Sequence, residues 1–232
     1  MGVYLYTPYS RTPWANTLAY YPLAEDCNDY SGNNRHGTNS NVTFSNWLAT
    51  FNGTNSVVTV AHADWQKPTN NFTILAWFRV STTAQTWCIV GKAQWSPYYQ
   101  TNRYYYMGNQ WDENSGKTFA WFAPWNEREV YPTSVFNLAP TPFTSWEWHL
   151  LGLTNEWTTK CQYFDWEVVA TASKPTVSST YSVPLTIGNV TYKTANMWFN
   201  GNISKVILEN RTWAQQEILD FYNWTKSDLP TT

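Results

Sequence analysis

Short runs of β-branched and aromatic residues alternate along this chain with turns rich in Asn, Gly, Ser and Thr. In the clearest run, which begins at Phe72, every second side chain is apolar (Phe72, Ile74, Ala76 and Phe78). A period of two is typical of a strand that has one face on a core. Many such runs at regular spacing predict an all-β fold in which two antiparallel sheets pack as a sandwich.

The remaining elements can be placed from the same patterns. The other predicted strands are 17–23, 47–51, 56–60, 87–90, 103–107, 118–122, 148–154, 161–170, 185–187 and 203–209. Asn52-Gly53-Thr54 predicts a hairpin between two of these strands. Thr212 and Gln215 form a capping-box pattern, which predicts one C-terminal helix. The helix has an apolar stripe of Ile218, Leu219, Phe221 and Tyr222. We therefore divide the chain into an N-terminal arm (1–16), one jelly-roll domain (17–225) and a C-terminal tail (226–232).

The aromatic content is unusually high. The 16 Trp, 16 Tyr and 11 Phe residues outnumber the 14 basic and 16 acidic residues. One core cannot hide so many wide rings, so some are expected at the surface, where they mark a contact site.

Composition also excludes several classes of function. A net charge of −2 offers no basic field for nucleic acid. No apolar run approaches the roughly 20 residues that a membrane-spanning helix needs. The first residues lack the pattern of a signal peptide. The three widely spaced cysteines (Cys27, Cys88 and Cys161) are predicted to be free thiols.

An ordered set of segments carries a resemblance to a known family. The segments are LAYYPL from Leu18, DYSGNNRHGT from Asp29, ATFNG from Ala49, FTILAWF from Phe72, WH at Trp148, YFD at Tyr163, GNIS from Gly201, NR at Asn210 and EI at Glu217. Over residues 17–224 the chain resembles the concanavalin A-like lectin/glucanase superfamily, in its laminin-G-like (pentraxin-like) jelly-roll branch. The resemblance implies a curved two-sheet jelly roll that holds ligands on its concave face or its rim of loops.

The resemblance also raises the question of a structural Ca²⁺ near the D-x-S-G-N turn. Asp29 occupies the matching position, and Asp26, Asn28 and Asn33 offer further oxygens of the kind that calcium prefers. However, Ser204 stands where the family has an acidic residue, which removes one carboxylate. The alternative is that these side chains cap the backbone of the turn. Both interpretations stay open at this point.

Glucanases of the family carry an E-x-D-x-E pattern, and this chain does not. Two carboxyl groups on one strand face would suit glycoside hydrolysis. Partial versions occur at Glu127/Glu129 and at Asp165/Glu167. The first pair brackets Arg128 and the second lies at a family hairpin turn, so both are expected to be solvated charges. The prediction is a non-catalytic protein, with a polysaccharide hydrolase as an alternative.

Aromatic and amide side chains cluster in the loops of the middle third of the chain. Flat rings pack against the C–H faces of sugars, and amides match sugar hydroxyls. The predicted ligand-binding residues are Trp95, Tyr98, Tyr99, Trp111, Trp125 and Asn126. The alternative is that these rings cover a sheet edge or a subunit contact.

Together these observations predict a lectin-like module that binds glycans. A fold that resembles extracellular proteins, without a signal peptide, predicts a place on a virion surface, such as a phage tail component that recognises host glycans, or an extracellular location. Expected partners are glycans, other virion proteins or a second copy of the chain. The alternative is a structural virion or assembly protein whose aromatic surface contacts other proteins.

Overall fold

The computed structural model describes residues 15–81, 87–94, 102–109, 118–122, 145–173, 182–192 and 195–230. In these ranges the strands form two eight-stranded sheets with a shared apolar core, and one helix lies near the C-terminus. This confirms the predicted two-sheet sandwich.

Strands are numbered in chain order. The first sheet contains β1 (Thr17–Tyr21), β3 (Thr43–Ser45), β4 (Leu48–Asn52), β6 (Asn71–Val80), β10 (His149–Glu156), β11 (Thr159–Phe164), β12 (Glu167–Ser173) and β16 (Asn200–Glu209). The second sheet contains β2 (Thr38–Ser40), β5 (Val57–Val60), β7 (Trp87–Gln94), β8 (Asn102–Asn109), β9 (Thr118–Phe122), β13 (Leu185–Ile187), β14 (Thr191–Tyr192) and β15 (Ala195–Asn196). The helix, α1, spans Gln215–Lys226.

The pairing order places β6 and β16 at the centre of the first sheet. Its strands follow the order β12-β11-β10-β6-β16-β4-β3, and β1 pairs with the second half of β16. The second sheet follows β15-β14-β7-β13-β5-β2, with β8 and β9 continuing from β7. Among the described strands the pairs are antiparallel except for a short parallel contact between β14 and β7.

The core between the sheets matches the alternation read from β6. Phe72, Ile74, Ala76 and Phe78 are all buried in this core. The Phe72 ring lies 5.6 Å from the ring of Tyr105 on the second sheet. The predicted inward face of β6 is therefore confirmed.

The opposite face of β6 packs against α1. Trp77 is fully buried, and its ring stacks on Tyr222 at 5.1 Å. Its Nε1–H donates to Thr225 Oγ1 at 2.8 Å. Ile218 and Phe221 join the same cluster and Tyr222 packs against it, which confirms the predicted apolar stripe except for Leu219. A second, smaller core thus lies between the first sheet and the helix.

The predicted capping box of the helix is wrong. Ala214 is the N-cap, and its backbone N–H donates to Glu217 Oε2 at 2.9 Å. The Thr212 hydroxyl instead donates to the Asn155 carbonyl oxygen at 2.5 Å. The hydroxyl that the local pattern assigned to the helix N-terminus is therefore bound to a strand that is distant in sequence. The helix begins later, at Gln215.

The predicted hairpin at Asn52-Gly53-Thr54 is also wrong. The turn exists, because Asn52 Oδ1 accepts hydrogen bonds from the N–H groups of Thr54 (2.9 Å) and Asn55 (3.0 Å). However, β4 lies in the first sheet and β5 in the second. The turn therefore carries the chain from one sheet to the other.

One predicted strand, 161–170, is divided in the structure. Asp165 has a positive φ of 57°, and a tight turn here separates β11 from β12. The two strands then pair with each other.

The two ends of the chain correspond to the predicted arm and the predicted tail. Most of the predicted arm, 1–14, lies outside the described residues. In the predicted tail, Leu229 is buried in the second core, and the Pro230 carbonyl oxygen accepts a hydrogen bond from Trp148 Nε1 at 3.1 Å. The tail therefore packs on the domain as far as Pro230.

Two further expectations concern the cysteines and membranes. All three cysteines are free thiols, as predicted; two are buried and Cys161 is partly buried. In the described ranges no helix has the length and apolar character that crossing a bilayer requires.

Candidate functional site

The predicted ligand-binding residues all fall outside the described part of the chain. They are Trp95, Tyr98, Tyr99, Trp111, Trp125 and Asn126, and the Glu127/Glu129 pair lies there too. Their role in binding stays a prediction.

A different group of residues meets on the outer face of the first sheet. Arg79 lies on the outward face of β6, two residues after Trp77. In the strand register it lies opposite Asn202 of β16, and Asn202 lies opposite Thr50 of β4. Residues directly opposite each other on antiparallel strands share a face. Arg79, Asn202 and Thr50 therefore form one row across the sheet.

Asn202 fixes the Arg79 guanidinium. Nε and Nη2 of Arg79 both donate to Asn202 Oδ1, at 3.1 and 2.9 Å. The Asn202 amide nitrogen in turn donates to the Ala49 carbonyl oxygen at 3.1 Å and to Thr50 Oγ1 at 3.0 Å. These two hydrogen bonds to β4 fix the orientation of the Asn202 amide. Arg79 and Asn202 are both buried, with 5% and 3% of their surface exposed.

Two tryptophans flank the guanidinium. The Arg79 Cζ atom lies 5.0 Å from the centre of the Trp148 ring and 5.7 Å from that of Trp146. Both distances fall within the range of a cation–π contact, about 6 Å. Trp146 is 53% exposed, whereas Trp148 is partly buried and held by its bond to Pro230. We call Arg79, Asn202, Trp146 and Trp148 the Arg79 site.

Backbone features bring these side chains together. Gly201 has a φ of 144°, and a Cβ there would lie 2.1 Å from the Arg79 carbonyl oxygen. Only glycine permits this approach, which places the following residue, Asn202, beside Arg79. Trp146 has a φ of 69°, and its N–H donates to the Val80 carbonyl oxygen at 2.8 Å. That bond holds the exposed ring at the end of β6.

Among the described residues no carboxylate balances the charge of Arg79. Burial lowers the pKa of its guanidinium below the usual value. At neutral pH the group still carries its positive charge, because arginine is effectively always protonated. The site is therefore a cation held by one neutral amide and two ring faces.

The predicted calcium residues form a hydrogen-bonded turn around Asp29. One carboxylate oxygen accepts from the N–H groups of Tyr20 and Ser31, both at 2.9 Å. The other accepts from the Ser31 hydroxyl at 2.9 Å and from the Arg35 N–H at 3.0 Å. Four donors therefore already occupy the two oxygens that a cation would need.

The other three candidates also make hydrogen bonds in this region. Asp26 accepts from the backbone N–H of Asn28 at 2.9 Å and from its side-chain nitrogen at 2.6 Å. Asn33 donates from its amide nitrogen to the Thr17 carbonyl oxygen at 2.8 Å. Within the described ranges no group of three or more His, Cys, Asp or Glu side chains is placed to hold a metal. These hydrogen bonds favour the turn-capping alternative, which stays a prediction.

The Asp165/Glu167 pair is part of the β11–β12 turn. Asp165 Oδ1 accepts from the Leu150 N–H at 3.0 Å, and Oδ2 lies 3.1 Å from His149 Nδ1. Glu167 is exposed. These contacts give Asp165 a turn-stabilising role, whereas the sequence predicts a solvated charge.

A buried lysine lies at the end of β7. Lys92 is fully buried, and its Nζ donates to Gln66 Oε1 at 2.6 Å and to the Val183 carbonyl oxygen at 2.5 Å. The His62 ring lies 3.0 Å away. Burial lowers the Lys92 pKa from 10.5 to about 7. The cluster ties three segments together.

The comparison with known families agrees with this architecture. A laminin G-type family model, described as concanavalin A-like lectin/glucanases superfamily, matches residues 52–219. The chain belongs to this superfamily. The match includes Arg79, both tryptophans and Asn202. No curated protein matches the chain significantly by sequence.

Several solved structures share the fold of this chain at low sequence identity. Domain 4 of an extracellular GH43 arabinanase from Geobacillus stearothermophilus, in complex with arabinotriose, has a TM-score of 0.68 at 14% identity, over 89% of this chain and 98% of that one. A Trypanosoma rangeli sialidase mutant with trans-sialidase activity has a TM-score of 0.65 at 17% identity, over 95% and 35%.

A third similar structure belongs to botulinum neurotoxin type C, whose cell entry depends on interaction with two ganglioside molecules. Its TM-score is 0.65 at 12% identity, over 93% of this chain and 53% of that chain. The chain thus spans about a third of the sialidase and half of the toxin structure. At these identities the likeness concerns the fold.

The Arg79 site was missed in the sequence. Alternation along β6 does place Arg79 on the outward face, next to Trp77. Its partner Asn202 is 123 positions away, so the local pattern held no sign of the pairing. The high aromatic content does indicate a surface contact site, but the loop pattern favours other tryptophans.

Proposed function

We propose that this protein is a carbohydrate-binding module that holds a saccharide at the Arg79 site. The observation that carries the proposal is the exposed Trp146 ring beside a fixed arginine–amide pair. An exposed ring gives an apolar platform for the C–H face of a sugar. The guanidinium and the amide supply donors in fixed geometry for oxygen atoms at the edge of the ring.

Rigidity supports a binding role for this surface. The Asn202 amide is held by two hydrogen bonds from β4, and Trp148 is held by Pro230. A preorganised site loses less conformational freedom when a ligand binds. The similar structures of an arabinanase domain with arabinotriose and of a toxin that interacts with gangliosides are consistent with this function.

A glycan array with the intact chain tests the proposal. Wild-type protein and two variants, Trp146→Ala and Trp157→Ala, would be compared on the same array. Trp157 is a matched control, because it is 64% exposed with a positive φ of 52°. It also follows the far end of β10, which has 8 residues, so about 26 Å of strand lies between the two tryptophans at 3.3 Å per residue.

The proposal expects the wild type and Trp157→Ala to bind the same glycans and Trp146→Ala to lose them. If no glycan binds the wild type, the carbohydrate-binding function is wrong. If Trp157→Ala alone loses binding, the function holds and the Arg79 site is the wrong surface.

Two further predictions from the sequence, a place on a virion and hydrolytic activity, stay proposals. A place on a virion would be tested by mass spectrometry of purified particles. Hydrolysis would be tested by release of reducing ends from the glycans that bind, with Glu167→Gln and Glu127→Gln as variants. Within our proposal the glycan is bound and released unchanged.

A further inference from the structure

The Arg79 guanidinium has an unused edge. Nε and Nη2 are bound to Asn202 Oδ1, which accounts for one side of the planar group. Nη1 has no acceptor in the described part of the chain. Arg79 keeps 5% of its surface exposed. The edge formed by Nη1 and Nη2 therefore presents one N–H from each nitrogen.

This edge suits one kind of ligand group. Two parallel N–H groups in a plane match the two oxygens of a carboxylate, and such charged pairs are stronger than neutral hydrogen bonds. A neutral hydroxyl would use one donor and leave the charge unbalanced. Because Arg79 is 5% exposed, water screens the pair less than it would screen a surface pair.

The described neighbours of Arg79 are neutral. In the strand register they are Asn202 and, beyond it, Thr50, and the two flanking rings are tryptophans. The site therefore has the charge to attract an anion, the geometry to orient a carboxylate, and the exposed Trp146 ring to hold the sugar that carries it.

We propose that the Arg79 site selects an acidic saccharide, with the sugar carboxylate on the Nη1–Nη2 edge of Arg79 and the sugar ring on Trp146. This inference rests on the proposed carbohydrate-binding function and specifies its ligand class. A neutral saccharide would keep the contact with the tryptophan and lose the charged pair.

The test compares each acidic oligosaccharide with its own methyl ester. Uronic acid and sialic acid oligosaccharides serve as probes, because esterification removes the charge and keeps the sugar. Titration calorimetry at fixed salt would give the ratio of the two affinities. We expect the free acid to bind about 10- to 100-fold more tightly than the ester, the scale of a hydrogen-bonded charged pair.

Charge variants then assign the preference to this residue. Arg79→Gln is expected to bring the acid-to-ester ratio close to one. Since Arg79 is buried, a second pair of variants at the exposed Thr50 changes the local charge while the Arg79 side chain is kept. Thr50→Asp should lower the ratio and Thr50→Lys should raise it, because each places a charge in the same row as Arg79.

The outcomes separate the two proposals. If acid and ester bind alike and the Thr50 variants leave the ratio unchanged, the acidic-saccharide inference is overturned and carbohydrate binding stands. If neither the acids, the esters nor any neutral glycan binds, the proposed function itself fails. A preference for sulfated over carboxylated sugars would also overturn the carboxylate assignment.

Discussion

Arg79 and Asn202 lie directly opposite each other on β6 and β16, and a single side-chain oxygen of Asn202 accepts two hydrogen bonds from the guanidinium. Both side chains are buried, so these two hydrogen bonds are largely shielded from water. The pair therefore contributes to stability as well as to the site, and the two contributions can be measured separately.

A double-mutant cycle on this pair gives the first prediction. Asn202→Ala removes the acceptor of both hydrogen bonds from Arg79, and we expect it to lower the free energy of unfolding by about 2–3 kcal/mol. Arg79→Met and the double variant complete the cycle. The expected coupling energy between the residues is about 1–3 kcal/mol from urea unfolding. Additive effects of the two substitutions would show that the hydrogen bonds contribute little.

The second prediction concerns the contact between the helix and the first sheet. Thr225→Val removes the acceptor of the buried Trp77 Nε1–H, while its size and shape stay similar. We expect a loss of about 1–3 kcal/mol in unfolding free energy, the cost of a buried donor without a partner. Thr225→Ser keeps the hydroxyl and is the matched control. Equal losses in the two variants would contradict the role of the hydrogen bond.

The third prediction concerns pH. The Lys92 pKa is about 7 in the folded chain, against an ordinary value of 10.5. Between these values the unfolded chain binds more protons than the folded one, so stability rises as pH increases through this window. Lys160 and Lys205, whose pKa values burial lowers to about 8, act in the same direction.

Urea unfolding at several pH values between 6.5 and 9 checks this expectation. The wild type should become more stable toward pH 9. Lys92→Met should show a smaller rise, because its side chain carries no proton to lose. An equal slope for the two proteins would mean that Lys92 keeps an ordinary pKa in the fold.

The fourth prediction tests the alternatives for the Asp29 turn. Its carboxylate accepts four hydrogen bonds, so we expect Asp29→Ala to lower the unfolding free energy by about 2–3 kcal/mol. Because these donors occupy both oxygens, the melting temperature should be the same in EDTA and in millimolar Ca²⁺. A rise in melting temperature with Ca²⁺ that Asp29→Ala abolishes would instead establish a calcium site.

How much of this fold the sequence predicts depends on the range of the interactions. The alternation along β6 correctly predicts its inward face, because side chains on a strand point to opposite faces whatever its partners are. The apolar stripe of α1 is correct, except for Leu219, for the same local reason. Turn residues are also recognised locally, as at Asn52-Gly53.

Errors arise where a distant segment decides the outcome. The Asn52-Gly53 turn joins two sheets because β4 pairs with β16, which lies near the C-terminus. The Thr212 hydroxyl binds the Asn155 carbonyl instead of capping the helix. The Arg79 site needs Asn202, Trp146 and Trp148, none of which is near Arg79 in sequence. Local patterns carry no information on such pairings.

The central claim is that a saccharide binds at the Arg79 site, and tryptophan indole signals in ¹H–¹⁵N NMR spectra test it most directly. Each indole N–H gives its own signal, and Trp→Phe variants assign those of Trp146, Trp148 and Trp157. On titration with an acidic oligosaccharide, we predict that the Trp146 and Trp148 signals shift in a saturable manner and that the Trp157 signal stays in place. Saturable binding that leaves both Trp146 and Trp148 unshifted would contradict the account.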